Sequence, residues 1–289
     1  MALNNFTQRL LTGIGFISVL LTGIIFTPFL FFPIFGVITT LALYEYLSLG
    51  KRMKIEPMYV TNLIVAVSFF SINFLFAANV INAYWFIIFI PVWVMIIIFE
   101  LFRRTVYPIL NIAYSLSGFF LIVIPFSLFA YMIFPKLMFT ENEFFVQLSG
   151  ISKYFDHRLL LAFFLLLWSN DTFAYLFGVQ FGKHRLFERI SPKKSWEGFF
   201  GGLMMTIIMS LILSKFFGFY NSMFAVSIAF IISVFGTLGD LVESMFKRSI
   251  NVKDSGNLLP GHGGILDRFD GVILASPMVF FIVYMMAKF

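Results

Sequence analysis

Nine stretches of predominantly apolar residues dominate this chain, at 11–27, 30–49, 58–79, 83–101, 109–134, 159–180, 197–217, 222–246 and 265–287. Each is close to the length of about 20 residues that one helix needs to cross a hydrocarbon layer. In lipid every backbone N–H and C=O must find a partner inside its own segment, so runs of this kind fold as helices. The expected fold class is therefore all-α, a polytopic transmembrane helical bundle of about nine spans. The first two runs are barely separated, with Pro28 and Pro33 marking the turn between them. Composition agrees: 60% of the 289 residues are hydrophobic, 43 are Phe and only 12% are charged. That charged share is about half of what a soluble domain carries, and the hydrophobicity excludes disorder. The chain has no cysteine, which excludes disulfides and thiolate metal sites. The opening MALNNFTQRL has one basic residue and no small-residue cleavage site after a short apolar core. It reads as the start of a retained helix rather than a signal peptide.

Lysine and arginine set the orientation. With residue 1 on the cytoplasmic side, the inside segments hold Arg9, a group at 51–54, Arg103 and Arg104, five residues within 183–194, and Lys247, Arg248 and Lys253. The outside segments hold Lys136, Lys153, Arg158, Lys215 and Lys288. Fourteen against five, with Arg268 at a helix entrance, selects this orientation and puts the C-terminus outside. The basic residues lie in short loops between spans, so the net charge of +6 marks membrane topology and not a nucleic-acid partner.

The chain divides by chemistry. Residues 1–158, with about five spans, carry few polar groups inside them; Glu45 and Glu100 lie near cytoplasmic ends. Residues 159–289, with about four spans, carry Asp171, Asp240, Glu243, Asp267 and Asp270 in or beside spans, together with the inside loops 181–196 and 247–264. The active half is expected to be C-terminal, facing the cytoplasm. A charge at the middle of a spanning helix costs about 3 kcal/mol on insertion scales, and less near its ends. Four acids at span ends still call for a compensating cation. Asp240 and Glu243 are three apart, as are Asp267 and Asp270, so on helices each pair shares a face. Hard oxygen ligands without cysteine favour Mg²⁺ over zinc. The plainer alternative is a set of helix-end ion pairs with Lys247, Arg248 and Arg268.

The loop KRSINVKDSGNLLPGHGG, at 247–264, favours the metal reading. Its Lys and Arg residues neutralise phosphates, and Gly256, Gly261, Gly263 and Gly264 let backbone N–H groups approach an anion closely. His262 is a candidate substrate-binding residue in the same loop, or a plain loop residue. Asp171, in LLWSNDTFAYLFG, is the deepest acid. It is a candidate substrate-binding residue, or part of a hydrogen-bonded cluster with Ser169, Asn170 and Thr172. The Ser-x-x-Lys of SPKK lacks its partner motifs, and the glycosylation-like NFT and NDT fall on a cytoplasmic segment and within a span.

SPKKSWEGFFGG (191–202), GDLVESMFKR (239–248) and KDSGNLLPGHGGILDRFD (253–270) resemble the phosphatidate cytidylyltransferase, or CDP-diacylglycerol synthase, family, with NDTFAYLFG a further match in the right order. The likeness is strong over residues 165 to 275. It implies a bacterial inner-membrane enzyme, reported as a homodimer, that joins CTP to phosphatidic acid in the lipid bilayer and releases pyrophosphate. The implied cofactor is Mg²⁺, alone or with a second, monovalent cation. By resemblance Asp240 and Asp267 are metal ligands and Asp270 supports the same site. Lys247, Arg248 and Arg268 contact phosphates, with Lys253 beside them. Lys193, Lys194 and Ser195 hold the nucleotide or the lipid phosphate. Two rivals remain: a CTP-dependent lipid-alcohol kinase, which would release CDP, and a cation transporter using Asp171, Asp240 and Asp267. Transporters usually show internal repeats and midplane sites, and no convincing repeat is seen here.

Overall fold

The structure is a computed structural model that describes residues 5–135, 147–218, 222–261 and 263–288. Among these residues eight helices are long and apolar enough to cross a membrane, and a ninth apolar helix is shorter. The chain packs as two compact units, Met1–Phe155 with Asp254–Arg268, and Asp156–Lys253 with Phe269–Phe289.

The first unit contains α1 (Asn5–Ile25), α2 (Pro28–Gly50), α3 (Tyr59–Ala77), α4 (Phe89–Phe102, entered through a 3-10 stretch Ala83–Ile88) and α5 (Pro108–Ile133). The Thr27 hydroxyl accepts from the Leu30 N–H and caps α2, with Pro28 in its first turn. Pro33 therefore lies inside α2 and not in the turn. So close to the helix start its missing N–H removes a single bond, the one to the Phe29 carbonyl. In α5 the turn Phe119–Val123 is a π-helix immediately before Pro125, and the Ile124 N–H bonds the Phe119 carbonyl five residues back. Such a wide turn absorbs the irregularity that a proline brings.

Aromatic side chains fill this core. Phe31 and Phe35 stack at 4.6 Å and Phe35 meets Phe129 edge-on at 5.5 Å, all three fully buried. Tyr46 and Tyr114 stack at 4.7 Å between α2 and α5. That approach depends on Gly50, where a Cβ would stand 2.7 Å from the Tyr114 ring. Small residues let helices come together where apolar burial against lipid gives no drive. Glu100, at the end of α4, is buried but fully partnered: Arg103 and Asn111 each donate to it at 2.6 Å, and Thr105 at 2.7 Å. It staples α4 to α5.

The second unit contains α6 (Arg158–Phe181), a hairpin of β1 (Arg185–Phe187) and β2 (Ser191–Ser195), α7 (Trp196–Phe217), α8 (Ser222–Ser249) and α9 (Val272–Lys288). The strands are antiparallel, Arg185 facing Ser195 and Phe187 facing Ser191. α6 and α7 touch through glycines; a Cβ on Gly198 would stand 2.6 Å from the Ala174 carbonyl, and one on Gly202 would stand 2.9 Å from that of Asn170. Arg158 binds the Asp156 carboxylate at 2.5 Å and donates to the Phe217 carbonyl at 2.8 Å, closing the end of α7.

The final helix differs from the expected 265–287 run. It starts at Val272, and Leu266–Arg268 forms a 3-10 turn before it. Asp267 and Asp270 therefore do not share a helix face. Locally, Gly261 and Gly263 take φ of +77° and +83°, and Asp267 folds the loop onto itself by accepting from the Ser255 and Gly264 N–H groups.

Candidate active site

The hairpin is positioned from α7. The Ser195 hydroxyl oxygen accepts from the Gly198 N–H at 3.1 Å and caps the helix. Glu197 reaches back to the Lys183 N–H at 3.1 Å and bonds the His184 ring Nδ1 at 2.6 Å. Lys193 and Lys194 are consecutive in β2, so they point to opposite faces. Lys193 is exposed. Lys194 turns inward and its ammonium meets the Asp240 carboxylate of α8 at 2.5 Å. Both partners keep about a third of their side-chain surface accessible, at 27% and 31%. Ser244, one turn on, donates to Asp240 at 3.2 Å.

Asp171 and Asp270 gather around this pair. Lys194 and Asp240 are the charged neighbours of Asp171. Asp171 is exposed while Ser169 and Asn170 are buried, Asn170 facing Thr237 on α8 at 3.5 Å. Asn170 is also a polar neighbour of Asp171, so this acid adjoins the buried cluster. Asp270 reaches the group because of Gly239 on α8: a Cβ there would stand 2.7 Å from the Asp270 carbonyl. Burial, followed by the charges of Asp240, Asp171 and Glu243, pushes the Asp270 carboxyl well above the usual carboxylate range. Its Oδ1 accepts only a local bond, from the Gly271 N–H at 2.7 Å.

Glu243 and Lys247 form an ion pair one turn apart inside α8, and both are buried. Helix-end pairing therefore holds for Glu243, whereas Asp240 takes its lysine from the hairpin. Arg248 is exposed and donates to the Val252 carbonyl at 3.0 Å, and Lys253 is exposed. Among the described residues no three Asp, Glu or His side chains are arranged as a metal-binding group.

The rest of the signature stretch packs in the first unit. Both oxygens of Asp267 lie 3.0 Å from the Ser255 N–H, and one also accepts from the Gly264 N–H at 2.7 Å. Arg268 is exposed beside it. The Gly264 N–H is therefore engaged by Asp267 rather than directed at solvent, and Gly263 is there for its positive φ. His262 lies outside the described residues. One residue outside the expected set joins this stretch: Glu45 of α2, which accepts from the Leu266 N–H at 2.8 Å and the Ser255 hydroxyl at 3.2 Å. Its only sequence signal is an acid inside an apolar helix.

An all-α polytopic membrane protein, with a group of aspartates around one Lys–Asp pair in its second unit, is the class that fold and site define. Its sequence matches the model of the cytidylyltransferase family over residues 7–286, and the chain belongs to that family. It is 49% identical over 123 residues to a phosphatidate cytidylyltransferase of Staphylococcus epidermidis, covering 42% of this chain and 47% of that protein. The proteins of that name from Staphylococcus aureus and Staphylococcus haemolyticus are 52% and 50% identical over 124 residues, 43% of this chain and 47% of theirs. The matched stretch thus spans about half the length of these relatives.

Proposed function

We propose that this chain is a phosphatidate cytidylyltransferase, which transfers CMP from CTP to phosphatidic acid. The supporting observation is Lys194 on Asp240 with Asp171 and Asp270 beside them, in a member of the cytidylyltransferase family. An oxygen of the lipid phosphate attacks the α-phosphorus of CTP. The bond from that phosphorus to the bridging oxygen breaks, and pyrophosphate leaves with its electron pair. Phosphate monoesters have a second pKa of about 6, so the lipid phosphate is largely dianionic near neutral pH and needs no base. The protein's task is to cancel charge between two anions and hold them in line. Lys194, partly accessible and already oriented by Asp240, is the group to meet a phosphate, with Lys193 on the outer face of the same strand.

The acid group fits a divalent cation in donor chemistry and in charge. It offers hard oxygens without cysteine, and three aspartates share the neighbourhood of one lysine, Lys194. Asp240 and Asp270 would hold Mg²⁺, which supplies charge cancellation on the phosphates when bound. A metal role for Asp267 is part of the same proposal. So are a homodimer and a bacterial plasma-membrane setting with the N-terminus and the site inside and the C-terminus outside; the lysine and arginine bias supports the orientation. The test is an assay of purified protein with CTP and phosphatidic acid. Pyrophosphate and CDP-diacylglycerol are expected; release of CDP would indicate a lipid kinase instead.

A further inference from the structure

Glu45 is 3% exposed and sits in an apolar helix, yet every donor it meets comes from a segment more than two hundred residues later. Its Oε2 takes the Leu266 N–H and the Ser255 hydroxyl, and Oε1 is buried without a hydrogen-bond partner among the described residues. The backbone closes in on both sides. A Cβ on Gly256 would stand 2.5 Å from Oε1, and one on Gly264 would collide with Oε2 and with the Ser255 hydroxyl. Asp267 ties the same segment across itself, from Ser255 to Gly264. Ser255 is the shared node: its N–H goes to Asp267 and its hydroxyl to Glu45. A carboxylate in an apolar helix is retained against a cost that a hydrophobic residue would not incur. For α2 alone it serves nothing, since all of these bonds go to the segment Asp254–Arg268.

We propose that Glu45 is a positioning residue for the nucleotidyl transfer, fixing the backbone of Asp254–Arg268 and through it the direction of Asp267 and Arg268. This rests on the cytidylyltransferase reading. It concerns orientation and not charge at the reacting phosphates, so the chemical step suffers more than substrate binding. A misplacement of about 1 Å costs about a hundredfold in rate.

The test uses the full-length protein in detergent or vesicles, with CTP and phosphatidic acid as substrates and amide hydrogen exchange as a second readout. Glu45→Ala is expected to lower kcat by about a hundredfold while KM for CTP moves less than about threefold. Exchange at Ser255, Gly264 and Leu266 should rise at least tenfold. Glu45→Gln keeps an oxygen that accepts from Leu266 and Ser255, so it should recover most of both. Ser255→Ala should reproduce part of the loss, and the double variant Glu45→Ala with Ser255→Ala should be no worse than Glu45→Ala alone. If Glu45→Ala does not fold, Glu45→Gln and Ser255→Ala still decide. Unchanged exchange and kcat in Ser255→Ala, or a Glu45→Gln variant as impaired as a non-accepting one, overturns the proposal. A wild-type protein that releases no pyrophosphate sinks the activity reading instead, and the exchange data then judge Glu45 separately.

Discussion

Two sets of carboxylates sit in this chain, and they are treated in opposite ways. In the first unit Glu100 and Asp267 are engaged by donors on both oxygens and Glu45 through its Oε2: backbone N–H groups, hydroxyls, an amide and one guanidinium. In the second unit Asp171, Asp240 and Asp270 are one another's charged neighbours, with Lys194 paired to Asp240. A carboxylate whose lone pairs are filled by the backbone organises structure. A group whose mutual repulsion is left standing is poised for a cation or for a substrate that brings one. The signature stretch, continuous in sequence, is divided between these two treatments at Arg268 and Phe269.

The largest effect should come from Asp240→Asn, which removes both the partner of Lys194 and a proposed metal ligand. Turnover should fall by about a thousandfold without loss of thermal stability, and Lys194→Ala should follow at about a hundredfold. Near-normal turnover in either would remove the second-unit group from the chemistry. Asp267→Asn tests the other side of the contrast. An amide there must turn its NH₂ toward the Ser255 or Gly264 N–H, so stability should drop by about 1–3 kcal/mol along with activity. Lost activity with an unchanged melting temperature would instead move Asp267 into the cation-seeking set.

Asp270 gives a smaller effect of opposite sign. Its folded-state pKa is raised, first by burial and then by its acidic neighbours. Between the ordinary carboxylate pKa and its own, the folded protein holds a proton that the unfolded chain has lost. Stability of metal-free protein should therefore fall as pH rises through that window. Asp270→Asn should abolish that slope and raise the melting temperature near neutral pH while losing activity; a lower melting temperature would break the contrast. The smallest effect is at Asp156, held below the usual range chiefly by hydrogen bonds from Arg158. Here stability is present above the unfolded pKa and is lost as pH falls. Arg158→Ala should cost about 0.5–1 kcal/mol, since the pair is partly exposed, and should flatten that acid limb in a melting-temperature series.

The eight long helices were legible because about 20 apolar residues in a row have one economical fold in lipid. Ends were harder. The run at 222–246 stops where Lys247 and Arg248 begin, yet α8 continues to Ser249 because Lys247 is neutralised by Glu243 one turn back. The last helix was expected seven residues too early, because the apolar run was taken to begin at 265, whereas Asp267 ties the chain back to Ser255 and Gly264 and the helix begins at Val272. The hairpin 185–195 was read as loop, because its charged residues show no alternation of apolar and polar. Asp240, Lys194, Asp171 and Asp270 were all chosen from sequence, but the Lys194–Asp240 pairing across 46 positions was not visible. Glu45 was noticed as an acid near a span end and left without a role, because its donors come 210 and 221 residues later.

That separation has a consequence for how the protein is made. Chains emerge N-terminus first, so α2 is integrated into the bilayer long before residues 255–266 exist. Throughout that interval Glu45 has neither of those two donors, in a helix that is otherwise apolar. A nascent chain arrested before residue 254 therefore carries an acid that lacks the partners it has in the folded protein. Completion of the stretch 255–266 supplies those partners.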